Sequence, residues 1–190
     1  MTEGVTNKRK QGSRSEPPKT PGSGSRARKA KAGAEAEAPE VDVLAEARRR
    51  VELDPDDTAA RLDLGRIYAA RGEPTLALEQ LESVRETAPD DPDILIEYAG
   101  TLAAAGRLAD AEKELRRAQR LAPASPEPPR QLGIVLFKRG LYRHADAALK
   151  RALELDDTSG ETYFYRGETL NQLGRFDEAL TMLKRAVQYE

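Results

Sequence analysis

The sequence is poor in side chains that carry redox, metal and nucleophilic chemistry. Its 190 residues include no cysteine, no tryptophan, a single histidine and only 5% aromatic residues. The absence of cysteine excludes disulfides, thiolate zinc sites, iron–sulfur ligation and cysteine nucleophiles. The lone His144 excludes a metal site built from several histidines, and no serine lies in a nucleophile-elbow context. We therefore predict that the chain is not an enzyme and needs neither a metal nor another cofactor.

Long hydrophobic runs are also missing. No apolar stretch approaches the roughly 20 residues that a helix needs to cross a bilayer. The charges of the first ten residues are not followed by the apolar segment that a secretory signal contains. These features predict a cytoplasmic protein without membrane insertion.

Charge is distributed unevenly along a chain whose 31 basic and 33 acidic residues nearly balance. Residues 1–40 carry a net charge of +4, and residues 41–190 carry −6. The first segment is dominated by Gly, Ser, Pro, Lys and Ala, so it cannot offset about 1–2 kcal/mol of backbone entropy per ordered residue. We predict a disordered basic tail over 1–40. A nucleic-acid arm or a localisation signal stays open, although the tail has no aromatic residues for base stacking.

The rest of the chain repeats with a period of 34 residues. Three residue types recur four times each at this interval: Gly72, Gly106, Gly140 and Gly174; Ala77, Ala111, Ala145 and Ala179; and Leu81, Leu115, Leu149 and Leu183. The predicted units are 58–91, 92–125, 126–159 and 160–190. A period of this length is typical of stacked helical repeats.

Each unit contains the pattern of two helices. The second helix carries Ala, Leu and a further apolar residue at i, i+4 and i+7, which places all three on one face. The repeated glycine between the helices ends the first one, because it can adopt the left-handed conformation of a helix C-terminus. A small residue in the first helix is expected to face the alanine of the second, so that the two helices approach closely. These small residues are Gly65, Ala99, Gly133 and Gly167.

This pattern resembles the tetratricopeptide repeat (TPR) family. The family combines a small residue in the first helix, Ala and a large apolar residue in the second, and a closing proline. Pro55, Pro89 and Pro123 take the closing position, whereas the third unit ends at Asp157. The resemblance covers 58–190 and implies an all-α solenoid of antiparallel helix hairpins in a right-handed superhelix.

The two ends and the third unit depart from this pattern. Residues 41–57 resemble the second helix of a degenerate preceding unit, and we predict an N-terminal capping helix there. Pro128 and Pro129 are expected to delay or distort the first helix of the third unit. The last helix is expected to present apolar residues that further residues, self-association or, more weakly, the basic tail would cover. These residues are Leu183, Ala186 and Val187.

The resemblance also implies where function resides. In such proteins the first helices line a concave groove in which a peptide or helical segment docks. The corresponding positions here are Leu62, Arg66, Ile96, Glu97, Arg130, Ile134, Phe137, Lys138, Phe164, Tyr165 and Glu168. Exposed anchors are expected among Ile96, Ile134, Phe137, Phe164 and Tyr165, and the others of this set are expected to pack between neighbouring hairpins.

We therefore predict a non-catalytic interaction scaffold or adaptor that binds a protein or peptide. Two alternatives stay open: a TPR module of a larger secretion, chaperone or enzyme assembly, and a nucleic-acid-associated protein that uses its basic tail. Steep salt dependence of binding would identify the second alternative.

Overall fold

The computed structural model describes residues 42–189, and the regular structure in this range is entirely helical. The helices are α1 (Val43–Leu53), α2 (Thr58–Ala70), α3 (Pro74–Thr87), α4 (Pro92–Ala104), α5 (Leu108–Leu121), α6 (Glu127–Lys138), α7 (Tyr142–Leu155), α8 (Gly160–Gln172) and α9 (Phe176–Gln188). None of these described helices is long and apolar enough to span a membrane. The predicted basic tail, 1–40, lies outside the described residues.

The helices pack as a row of hairpins. Helices α2 and α3, α4 and α5, α6 and α7, and α8 and α9 form the hairpins, and α1 packs against α2. Each second helix also contacts the first helix of the next hairpin, and α6 contacts both α4 and α8. This nearest-neighbour stacking is that of an α-solenoid. The predicted fold class is thereby confirmed.

The turns within the hairpins are closed by the repeated glycines. Gly72, Gly106, Gly140 and Gly174 have φ angles between 72° and 78°, a conformation that L side chains rarely adopt. The N–H of Gly72 donates to the Ala69 carbonyl at 3.0 Å, and the N–H of Glu73 donates to the Tyr68 carbonyl at 2.9 Å. These bonds satisfy carbonyl groups that the end of α2 would otherwise leave unpaired.

Helix α6 tolerates its two prolines with little change. Helix α4 begins at Pro92, so the 34-residue period places the start of α6 at residue 126. The helix begins one residue later, at Glu127. Pro128 and Pro129 fall in the first turn, where backbone N–H groups have no partner within the helix. Both prolines are fully buried. The predicted delay therefore amounts to one residue, and the helix is otherwise continuous.

The close crossing within each hairpin differs in detail from the prediction. A Cβ atom on Gly65 would meet Leu81 Cδ2 at 3.0 Å, and one on Gly133 would meet Leu149 Cδ2 at 2.7 Å. The glycine therefore faces the repeated leucine of the second helix, four residues beyond the alanine. The backbone of that alanine lies nearby, because the same Cβ on Gly65 would be 3.6 Å from the Ala77 carbonyl oxygen.

Candidate peptide-binding groove

The predicted groove residues all lie on the first helices of the hairpins. We call the face formed by α2, α4, α6 and α8 the A-helix face. Helix α2 carries Leu62 and Arg66; α4 carries Ile96 and Glu97; α6 carries Arg130, Ile134, Phe137 and Lys138; and α8 carries Phe164, Tyr165 and Glu168. Contacts between successive first helices divide this face into a charged half and an aromatic half.

The charged half lies on α2 and α4. Arg66 Nε donates to Glu97 Oε1 at 2.7 Å, so the two helices are joined by an ion pair on this face. The hydrogen bond to Glu97 raises the pKa of the Arg66 guanidinium. Next to this pair, Arg50 of α1 donates to Asp63 of α2 at 3.0 Å. Arg50 is not among the predicted groove residues, because these belong to the first helices and α1 resembles a second helix.

A second group of charges joins α6 to α8. Arg130 Nη1 donates to Glu161 Oε2 at 2.9 Å, and Arg130 also pairs with Glu127 one turn earlier on its own helix. Burial lowers the pKa of Arg130, but its hydrogen bond with Glu127 and the attraction of both carboxylates outweigh this effect and raise it. Gln131 donates to the other oxygen of Glu127 at 2.9 Å. This network holds the first turns of α6 and α8 together.

The aromatic half lies on the same two helices, α6 and α8. The Phe137 ring centroid lies 5.9 Å from that of Tyr165 and 5.7 Å from that of Tyr142, and Phe164 meets Tyr165 edge-on at 5.5 Å. We call these four residues the aromatic cluster. Phe164 is 47% exposed, whereas Phe137 is half-buried and packs against the hydrophobic core. The cluster therefore presents one accessible ring on a base of packed rings.

Tyr142 is the member of the cluster that the sequence analysis missed. It is the first residue of α7 and thus belongs to a second helix, outside the set of first-helix positions. The 34-residue alignment offered one signal, since the same position holds the large apolar residues Leu108 and Phe176 in the neighbouring units.

Ile134 is one of the candidate anchors that pack inside the stack instead of being exposed. Its side chain is only 6% exposed, because α6 has a neighbouring first helix on each side. Leu62 and Ile96 are half-buried and pack against the core, as Phe137 does. Lys138 is exposed, and Tyr165 and Glu168 are half-buried. Of the five expected anchors, Phe164 is the most accessible.

Within residues 42–189 there is no group of three His, Cys, Asp or Glu residues that could hold a metal ion. His144 is exposed at the start of α7.

Comparison with known proteins agrees with this architecture. The family model described as "Tetratricopeptide repeat" matches residues 41–92, 62–126 and 130–189. No curated protein is similar enough in sequence to count as a relative.

Several solved structures share the fold at low sequence identity. A crystal structure of MamA has a TM-score of 0.68 at 20% identity, covering 77% of this chain and 85% of MamA. PilF of Pseudomonas aeruginosa has a TM-score of 0.67 at 20% identity, covering 77% of this chain and 67% of that one. YrrB, described as a TPR protein with an unusual peptide-binding site, has a TM-score of 0.63 at 22% identity, covering 77% and 76%.

Proposed function

Because this chain belongs to the tetratricopeptide repeat family, we propose that it is a non-catalytic scaffold that binds a peptide or helical segment of a protein on its A-helix face. The exposed ring of Phe164 on the aromatic cluster carries this proposal. A large exposed ring supported by packed rings loses little conformational freedom when a ligand covers it, and aromatic residues dominate the energetics of such contacts. YrrB, which shares the fold, is itself described as having a peptide-binding site, and this supports the same role here.

The charges around the aromatic cluster indicate which peptides it selects. Lys138 follows Phe137 directly, is exposed, and forms no ion pair within residues 42–189. In contrast, Arg66 and Arg130 are already paired with carboxylates of the neighbouring first helix. We propose that the ligand places a large apolar side chain against Phe164 and an acidic group near Lys138.

Selection of peptides provides a direct test. A random peptide library displayed on phage is selected on the full-length chain, and the enriched peptides are synthesised for titration. We expect them to share a large apolar residue and to lose about tenfold or more in affinity on Phe164→Ser. Leu121→Ser is the matched control, because Leu121 is also exposed but lies at the end of α5.

The outcomes separate the proposal from its competitors. Peptides that bind Phe164→Ser and the wild type equally well place the site elsewhere on the chain. A failure to enrich any peptide contradicts a peptide-binding groove.

The proposed acidic group is tested separately. Lys138→Ala should weaken the selected peptides and reduce the salt dependence of their binding, because it removes the proposed cation. Lys150→Ala is the control, since Lys150 is an exposed lysine of the second helix α7. Equal affinity of the two variants would remove Lys138 from the site.

The nucleic-acid alternative depends on residues 1–40, which lie outside the described residues, and it stays a prediction. Membership of a larger assembly and the cytoplasmic location also stay predictions.

A further inference from the structure

A groove lies between α1 and α2 at the N-terminal end of the array. It has a volume of about 330 Å³ and is lined by Val43, Glu46, Ala47 and Arg50 of α1 and by Asp63 and Ile67 of α2, among others. We call it the N-terminal seat. Its floor is apolar, and its rim carries both acidic and basic side chains.

The 34-residue period shows what occupies the equivalent place in the next unit. The counterparts of Val43, Glu46 and Ala47 are Ala77, Gln80 and Leu81. Helix α2 covers them: Gly65 lies against Leu81, and Arg61 donates to Gln80 at 3.2 Å. The N-terminal seat is therefore the surface that a first helix covers in the next unit.

The seat differs from its counterpart in the size of its side chains. Ala47 replaces Leu81, the side chain that leaves no room for a Cβ atom on the crossing helix. Val43 replaces the fully buried Ala77 and is 63% exposed. A helix that lies in the seat can therefore present a large apolar side chain where α2 must present glycine.

The opposite end of the array presents such side chains. On α9, Phe176, Leu180 and Val187 are 66%, 54% and 72% exposed. Their spacing of four and seven residues places them on one side of the helix. We call these three residues the α9 stripe. Of the three residues that were expected to be uncovered on this helix, only Val187 is exposed. Ala186 is buried, and Leu183 packs beside Gly167.

Leu180 of the α9 stripe occupies a position that the preceding second helices use for contact with the following hairpin. The counterpart of Leu180 in α7 is Asp146, which accepts hydrogen bonds from Arg166 and Arg175 of the next hairpin. The counterpart in α5 is Glu112, which pairs with Arg139. At Leu180 the same position is apolar and exposed, so its contact surface suits an apolar partner.

We propose that the α9 stripe of one copy of this chain binds in the N-terminal seat of a second copy. The stripe is a ridge of large apolar side chains, and the seat is a groove whose central side chain is small. Asp177 and Lys184 are exposed beside the stripe and carry one charge of each sign, as does the Arg50–Asp63 ion pair on the rim of the seat. The two surfaces belong to opposite ends of the array, so the contact is head-to-tail and can repeat to form short chains.

Two substitutions block the two surfaces without disturbing the helices that carry them. Val43→Asp places a carboxylate in the seat at the first position of α1, where the helix dipole favours an anion. Leu180→Asp gives α9 the residue that α7 carries at the same position. Leu121→Asp is the matched control, because it makes the same exchange at an exposed leucine of α5. Circular dichroism checks that each full-length variant keeps its helicity.

Sedimentation velocity over a range of concentrations measures the association. We expect the wild type and Leu121→Asp to associate with increasing concentration, and each blocking variant alone to lose about tenfold or more in association constant. A mixture of Val43→Asp and Leu180→Asp should form a one-to-one dimer and nothing larger, since one intact stripe and one intact seat remain.

Three results would overturn the proposal. If Val43→Asp associates like the wild type while Leu180→Asp does not, two α9 stripes pair with each other about a two-fold axis. If the mixture forms no dimer, the stripe and the seat are not partners. A wild type that stays monomeric at every concentration shows that another occupant, such as residues 1–40, covers these surfaces or that nothing does. None of these results bears on peptide binding at Phe164.

Discussion

Two neighbouring positions of the repeat behave in opposite ways. The first position holds Gly65, Ala99, Gly133 and Gly167, and the next holds Arg66, Gly100, Ile134 and Glu168. At the first position the residue is always small, because the leucine of the second helix lies against it. At the next position, on the A-helix face, the residue type varies: two are charged, one is apolar, and one is a glycine without a side chain.

The difference shows how one repeat can build a uniform core and a varied surface. Packing within a hairpin involves the same partners each time, so the crossing position admits only small residues. The neighbouring position points to another first helix or to solvent, and its surroundings change along the array. Arg66 forms an exposed ion pair there, whereas Ile134 is buried.

The largest expected effect comes from adding one methyl group at the crossing. Gly133→Ala should destabilise the fold by about 3 kcal/mol, at the upper end for overpacking, because its Cβ would collide with the fully buried Leu149. Gly100→Ala is the control: no atom lies within 4 Å of its Cβ, and we expect a gain of roughly 0.4–1 kcal/mol. Urea unfolding measures both. Equal effects of the two substitutions would contradict the comparison.

A smaller loss is expected from Asp146, which joins two hairpins. It accepts hydrogen bonds from Arg166 at 2.9 Å and Arg175 at 2.8 Å, and both Asp146 and Arg166 are mostly buried. Asp146→Ala should cost about 2 kcal/mol, because Arg166 loses its partner away from water. Glu97→Ala, which breaks the more exposed pair with Arg66, should cost under about 1 kcal/mol. The reverse order in urea unfolding would show that burial does not decide the strength of these pairs.

Two rings of the aromatic cluster should differ in their contribution to stability: Phe137, which supports the cluster, and Phe164, which is exposed. Phe137→Ala is expected to cost about 1.5 kcal/mol, roughly half the loss for a fully buried ring, since Phe137 is half-buried against the core. Phe164→Ala should change the free energy of unfolding by less than about 0.5 kcal/mol, because its ring is exposed. Thermal and urea unfolding of both variants check this. A larger loss on Phe164→Ala would place that ring in the core.

The smallest expected effect is a loss of folding stability at low pH. Asp57 caps α2, and the hydrogen bond from the Ala60 N–H, with attraction to Arg50, holds the pKa of its carboxyl below the usual value. The stabilisation is therefore present above the unfolded-state pKa of about 3.9 and is lost as the pH falls through the folded-state value. Asp57→Asn keeps a capping group that does not titrate. Between roughly pH 5 and 3, the wild type should lose more stability in urea unfolding than this variant. Parallel losses would assign the acid sensitivity to other groups.

Local signals in the sequence predicted the hairpins because they act within a few residues. The glycine at each turn is needed for a positive φ, and the i, i+4 and i+7 pattern places the apolar residues of each second helix on one face. Asp91, directly before Pro92, caps α4 by accepting hydrogen bonds from the N–H groups of Asp93 and Ile94. All the predicted groove residues lie on first helices in the structure, whereas Tyr142 of the aromatic cluster lies on α7 and was not predicted.

What the sequence by itself determined is the repeat: its period, its hairpins, and the first helices as the carriers of a variable face. Only the tertiary structure decided which residues of that face are accessible, because accessibility depends on how closely neighbouring hairpins approach. Ile134 and Phe164 are both large and apolar on first helices, yet the first is buried beside two neighbouring helices and the second is exposed. The packing of the helices also places Tyr142 in the aromatic cluster and Leu81, rather than Ala77, against Gly65. These contacts form between residues far apart in the chain, and their geometry is set by the volumes of all the side chains packed between the helices.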